Sequence, residues 1–307
     1  MHGSISRKKQ LGADALLLLT AFFWGITFAV VKEAIEVVPV FVFLAQRFGL
    51  AFIVMAAVAM GKRPVPASAD LLRGLVLGGL LFGAYAFQTL GLAMTSASNA
   101  GFVTGMNVVL VPLFGAIFFN DTAKPNALWG VGFAATGLFL LCTDGTWALN
   151  NGDLLVSICA ACVAFHIICT GRFARGHDVY WLTATQLGTV CALSGLAASV
   201  QGHSVLVWEP DIAWALILCA LFASVFAFWA QTSMQRFTTS TRAALIFCME
   251  PVFGAIYANW ALGEVLGMWG ALGAALIFAG MLLSELPANG RLLARFTSPA
   301  REKAGVD

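Results

Sequence analysis

Ten stretches of this chain are apolar for about 20 residues apiece, and that excludes most folds. A helix of this length crosses the hydrocarbon core of a bilayer, about 30 Å at about 1.5 Å per residue. Inside lipid every backbone N–H and C=O needs an internal partner, so such runs become helices. They lie at roughly 11–31, 39–60, 71–93, 99–119, 125–143, 153–171, 179–200, 212–235, 240–262 and 265–286. The intervening loops are short and hold no soluble domain. Of the 307 residues only 10% are charged and 60% are hydrophobic. A soluble domain carries about 25% charge.

The second constraint is a repeat. Residues 112–118 read Pro-Leu-Phe-Gly-Ala-Ile-Phe and 251–257 read Pro-Val-Phe-Gly-Ala-Ile-Tyr. A shift of 143 residues aligns more of the chain without a gap. Gln88-Thr89 then falls on Gln231-Thr232, Thr95 on Thr238, Ala100 on Ala243 and Met106 on Met249. Asp121 falls on Glu264, Gly130 on Gly273 and Gly137 on Gly280. In this register the two prolines stand four residues apart, about one helical turn. The chain thus divides into 1–10, a first half at 11–143, a second half at 153–286 and a polar tail at 287–307.

Lys and Arg orient the bundle. With the N-terminus inside, the inner segments carry Arg7, Lys8, Lys9, Lys62, Arg63, Arg73, Lys124, Arg172, Arg175, Arg236 and Arg242, and the tail adds Arg291, Arg295, Arg301 and Lys303. The outer loops carry only Lys32 and hold Glu33, Glu36, Asp144, Asp153, Glu209, Asp211 and Glu264. The expectation is an all-α membrane protein of ten transmembrane helices with both termini cytoplasmic. Five helices per half is odd, so the two five-helix repeats are inverted. In such folds the substrate site lies near the midplane between the halves.

Several function classes drop out. No basic stripe marks a nucleic-acid surface. No G-x-x-x-x-G-K-[ST] marks ATP use, and no Ser-His-Asp set or H-E-x-x-H marks an enzyme. The seven cysteines all lie within or at the ends of apolar runs. Cys159-x-x-Cys162 has no second ligand pair, so no metal or cofactor is expected. A monomer is consistent with the sequence.

The residues resemble the drug/metabolite transporter superfamily, with two EamA-type repeats. The resemblance rests on Trp24-Gly25, Pro39 with Arg47, Thr95-Ser96-Ala97-Ser98-Asn99-Ala100, Pro112, Pro251, Glu264 and Gly273-x6-Gly280. It covers almost the whole chain and implies ten helices and export of small metabolites across the plasma membrane. Within the superfamily the chain is similar to the YddG-like exporters of aromatic and other amino acids. Phe165-His166 departs from a Trp-Ala-like pair in many relatives and leaves the substrate open. A drug or quaternary cation is the alternative, held by aromatic faces.

Ionisable residues within spans point to function by default. Glu250, directly before Pro251, is the leading candidate to receive a substrate amine or a proton. Its repeat mate is Asn107, polar but not ionisable. Arg47 either attracts a carboxylate or bonds backbone carbonyls. Asp14 is read as a partner of the helix dipole near the start of the first helix. His166 is either a packing residue or a site residue. Tyr85 and Gln88 share a helix face and match Phe228 and Gln231, an aromatic and an amide repeated in both halves. Trp24 and Met106 complete the expected lining. Pro112 and Pro251 each remove a backbone donor and are the expected hinges. The glycine-rich faces of the third and tenth helices are read as packing surfaces.

Overall fold

The computed structural model describes residues 7–62, 65–143, 150–205, 209–262 and 267–285. Arg63, Asp144, Glu264 and the 287–307 tail, used above for orientation and alignment, lie outside the described residues. Every regular element among those described is helical.

The first half opens with α1 (Arg7–Val37), α2 (Val40–Lys62) and α3 (Ser68–Leu92). Next, α4 (Ala97–Gly105) and α5 (Asn107–Phe119) meet at Met106, and α6 (Pro125–Thr143) closes the half. The second half opens with α7 (Asn151–Phe173) and α8 (Val179–Val200). A rod follows, made of α9 (Ala213–Ala220), a π-helical stretch (Leu221–Phe226) and α10 (Ala227–Met234). Then α11 (Ser240–Phe247) and α12 (Glu250–Leu262) flank a second break, and α13 (Met268–Glu285) ends the described chain. Among the described residues seven stretches are long and apolar enough to cross a membrane: Lys9–Val37, Val40–Lys62, Ser68–Leu92, Asn99–Phe119, Pro125–Thr143, Asn151–Phe173 and Pro210–Phe237. The face of α8 is diluted by Thr183, Gln186 and Thr189, which bond within the bundle or to their own helix.

Side chains supply the helix starts. Ser96 Oγ accepts from Asn99 N at 3.0 Å before α4, and Thr239 Oγ1 accepts from Arg242 N at 3.3 Å before α11. These caps satisfy backbone donors that a helix cannot bond internally. They also stand 143 residues apart. In α7 a capping box joins Asn150 and Asp153, each side chain accepting from the other's backbone N–H at 3.0 Å.

Two expectations change. The first helix extends to Val37, so Lys32, Glu33 and Glu36 lie on its last turns instead of in a loop. Asp14 lies seven residues beyond the start of α1 and ion-pairs with Arg242 of α11 at 2.6 Å, so it does not serve the helix dipole.

The backbone follows the 143-residue register. The starts of α4, α5 and α6 at Ala97, Asn107 and Pro125 recur at Ser240, Glu250 and Met268. Contacts between the halves come in repeat-related pairs. A Cβ on Gly130 would lie 2.6 Å from the Gly280 carbonyl oxygen, and one on Gly137 would lie 2.5 Å from that of Gly273. Exchanging mates turns each of these contacts into the other. The first half's glycine order reverses in the second, so α6 and α13 cross antiparallel at backbone contact. Likewise Gly49 meets Cys191 while Phe52 meets Gly188, so α2 and α8 are antiparallel. Gly105 and Cys248 are mates in contact, Sγ to carbonyl at 3.8 Å.

Contacts sort the helix termini into two ends. At one end Asp14 meets Arg242, Asp70 meets His177 and Phe119 meets Arg172. At the other Thr95 meets Asp153 and Gln46 meets Val205. Two buried apolar clusters fill the bundle, one around α4, α5, α7 and α11, the other around α2, α8 and α9. Trp24 packs against both and stands between them.

Candidate functional site

The site begins at the break between α11 and α12. Pro251 has no N–H, so the carbonyl of Phe247, four residues earlier, loses its helical donor. The helix stops at Phe247 and restarts at Glu250. Gly25 of α1 is seated against this break. A Cβ there would lie 2.4 Å from the Glu250 carbonyl oxygen and 2.9 Å from Gly254 N. Only glycine lets α1 come this close.

The matching break in the first half falls at Met106, and Pro112 lies farther along, inside α5. Here Asn107 Nδ2 donates to the Thr104 carbonyl at 2.7 Å. The amide thus closes the break with its own chain.

A third irregularity is the π-helical stretch Leu221–Phe226. The wider turn leaves backbone carbonyls for outside donors. Ala223 O accepts from Trp24 Nε1 at 3.0 Å and from Arg47 Nη2 at 3.3 Å. Arg47 Nε also donates to Ser224 Oγ at 2.9 Å, and its Nη2 reaches Tyr85 OH at 3.4 Å. The guanidinium carbon lies 4.9 Å from the Tyr85 ring centroid and 5.2 Å from that of Phe48. Arg47 is therefore fixed by backbone, hydroxyl and aromatic contacts, with no carboxylate paired to it among the described residues.

These features frame one cavity. It holds about 840 Å³ of atom-free space, including the part open to the outside. Trp24, Tyr85, Phe228 and Phe247 form its aromatic wall. Ring centroids stand 5.6 Å apart for Trp24–Phe228, 5.1 Å for Trp24–Phe247 and 6.2 Å for Tyr85–Phe228. The polar lining is tied down. Gln88 Nε2 donates to Thr104 Oγ1 at 3.3 Å, and Gln231 Nε2 to Gln235 Oε1 at 3.2 Å. His166 Nε2 lies 2.9 Å from Gln186 Oε1, and Gln186 Nε2 donates to Thr232 Oγ1 at 3.2 Å. In that arrangement the imidazole carries its proton on Nε2 and leaves Nδ1 as an acceptor.

Glu250 is the exception. Its side chain lines the cavity and makes no hydrogen bond or ion pair among the described residues. A carboxylate in such a place demands water, a proton or a cation.

Of the nine residues expected to bind substrate, the structure places eight around this cavity. Met106 packs against the apolar core at the break instead. Arg47 joins the lining as a fixed group. Thr104 and Phe247 were missed. Each stands three residues before Asn107 or Glu250, and i, i+3 spacing on a helix face is the signal that finds them.

A helical bundle of two antiparallel-packed repeat halves around a partly polar cavity has the architecture of a membrane transporter. The chain belongs to the EamA-like transporter family, whose pattern matches residues 11–143 and 150–286. It is therefore a multi-pass membrane protein of a family of transporters, not enzymes. An uncharacterized transporter of Archaeoglobus fulgidus is 30% identical over 285 residues, 93% of this chain and 89% of that one. A probable amino-acid metabolite efflux pump of Salmonella typhimurium is 24% identical over 298 residues, 91% and 97% of the two chains. A solved crystal structure superposes with a TM-score of 0.74 over 94% of this chain and 100% of that one. At 20% identity it speaks to the fold alone.

Proposed function

We propose that this protein is a secondary transporter that exports small amphipathic metabolites, amino acids above all, by alternating access of the central cavity. The observation that carries the reading is the Glu250 carboxylate, which faces the cavity without a partner among the described residues. It offers a site for a substrate amine or a proton. The fixed Arg47 guanidinium and the wall of Trp24, Tyr85, Phe228 and Phe247 supply positive charge and apolar faces for the rest of such a molecule. The similarity to a probable amino-acid metabolite efflux pump supports the same class.

The topology proposed is ten crossings in two inverted repeats. Each continuous or broken rod counts once, and both termini lie inside, by the fifteen-to-one division of Lys and Arg. Pro112 and Pro251 serve as bends beside the cavity, with Met106 at the break. Labelling of a cysteine placed in the tail from outside intact cells would overturn the orientation.

The test of function is flux of labelled amino acids in proteoliposomes. Export of at least one above empty vesicles is the expected result, and none across a broad panel sinks the reading. A second reading, efflux of quaternary cations, draws on the same carboxylate and aromatic wall. It predicts flux of a quaternary ammonium dye that no amino acid inhibits.

A further inference from the structure

The two ends of the bundle are joined by different chemistry. At the end holding the start of α1, Arg242 Nη2 donates to Asp14 Oδ2 at 2.6 Å, and His177 Nδ1 lies 2.6 Å from Asp70 Oδ1. All four side chains are largely shielded from solvent, at 12% and 14% exposure in the first pair and 21% and 4% in the second. Each pair joins a residue of the first half to one of the second. Arg172 adds a third link, donating to the Phe119 carbonyl at 3.0 Å with its guanidinium 4.5 Å from the Phe119 ring centroid.

The repeat shows what the other end has in place of these pairs. The mates of Asp14 and Arg242 are Ser157 and Asn99, and the mates of Asp70 and His177 are Ala213 and Ala34. No equivalent ion pair is available there. That end is joined by the Thr95 hydroxyl, donating to Asp153 at 2.8 Å and accepting from Asn150 at 2.9 Å.

Two further observations bear on the charged end. The cavity extends away from it, lined on α1 from Trp24 to Val31 and on α3 from Leu81 to Leu92, the later parts of both helices. The material between cavity and charged end is polar and poorly satisfied. Gln231 Oε1, Ser233 Oγ, Arg236 Nε, Thr238 Oγ1, Thr170 Oγ1 and Asp14 Oδ1 are buried without a hydrogen-bond partner. Buried polar atoms left unpaired oppose the closed arrangement, and water reaching them would relieve the cost. Thr238 is itself the mate of Thr95, whose hydroxyl is satisfied.

Resting on the transport reading above, we propose that the charged end is a wettable gate. The Asp14–Arg242 ion pair and the Asp70–His177 hydrogen bond latch it shut, and it opens when they part. The latch sets which side the empty cavity faces, because no such pair holds the opposite end among the described residues.

The test uses the full chain with its native cysteines replaced and one reporter cysteine at Ser233 or Val31, on either side of the cavity. Asp14→Asn with Asp70→Asn should raise maleimide labelling at position 233 by about tenfold and lower it at position 31, within the usual range of conformational coupling. The exchanged pair Asp14→Arg with Arg242→Asp, beside native Asp70, should return position 233 to slow labelling. Unchanged labelling at both positions in a folded, monodisperse variant overturns the latch. So does an exchanged pair that labels as fast as Asp14→Asn alone. Amino-acid flux in proteoliposomes separates the two ideas. Flux with unmoved labelling sinks the latch and spares transport, whereas shifted labelling with no flux in any variant upholds the gate and sinks the transport reading.

Discussion

The two helix breaks share a backbone plan and differ in chemistry. At Met106 the first half interrupts a helix, and Asn107 turns its amide back onto the Thr104 carbonyl at 2.7 Å. One repeat later the second half interrupts the matching helix, and Glu250 takes the place of Asn107 with no partner for its carboxylate among the described residues. The neighbours differ too. Gly25 of α1 presses against the Glu250 backbone, whereas its mate in the second half is Ile168, a buried core residue. The repeat supplies two equivalent breaks, 143 residues apart. It does not require both to carry charge. The difference teaches that the repeat sets the backbone frame and that only one of the two breaks carries an ionisable side chain.

The largest effect is expected at that group. Glu250→Gln keeps size and hydrogen bonding and removes the charge. A hydrogen bond to a charged group is worth about 1.5–3 kcal/mol, so flux should fall by about tenfold or more. The pH dependence of flux should flatten with it. The same change should leave the melting temperature unchanged or raised, because an unpartnered carboxylate opposes burial. Full flux in this variant would make the two breaks functionally alike and end the contrast.

Next comes the seat of the break. A Cβ at Gly25 would meet backbone atoms at 2.4 Å and 2.9 Å, which cannot swing aside. Gly25→Ala should cost about 1–3 kcal/mol, read as a lowered melting temperature in detergent. Gly101→Ala, on α4, is the control. Its nearest contact there would be 4.0 Å away, at Pro251 Cβ, and Ala gains about 1 kcal/mol of helix propensity. Equal melting for the two variants would remove Gly25 from the argument.

How much of this contrast was legible depends on the signal. Apolar run length placed most of the helices, since lipid leaves the backbone little choice. The 143-residue alignment placed the halves, and Ala97, Asn107 and Pro125 have helix starts at their mates. The more conspicuous seven-residue match around the prolines is one turn out of this register. Proline marks where a donor is missing, and that point sits farther along α5 than along α12. Eight lining residues were readable because polar or aromatic side chains deep in spans need a reason to be there. That Arg47 bonds a backbone carbonyl was one of the two readings of the sequence, but which carbonyl was not readable, for Ala223 is an ordinary alanine exposed by a π-helical turn. The Asp14–Arg242 pair spans 228 residues and leaves no local trace either.

The smallest expected effect lies at the other break. Asn107→Ala removes one hydrogen bond, from Nδ2 to the Thr104 carbonyl, and that carbonyl then loses its side-chain donor. It also removes Asn107 Oδ1, which is buried without a partner and contributes nothing favourable. The loss and the relief oppose each other, so stability should fall by only about 1 kcal/mol. Thr104 keeps its other polar contact, the hydroxyl that accepts from Gln88, so the amide side of the cavity stays in place. Flux should then stay within about twofold of the parent, the span of about 0.4 kcal/mol. The measurement is the apparent KM and maximal rate for whichever amino acid the proteoliposome panel selects. A drop as large as that of Glu250→Gln would mean that Asn107 holds the substrate as well. The two breaks would then act as a pair across the pseudo-two-fold axis, with the neutral one as half of the site.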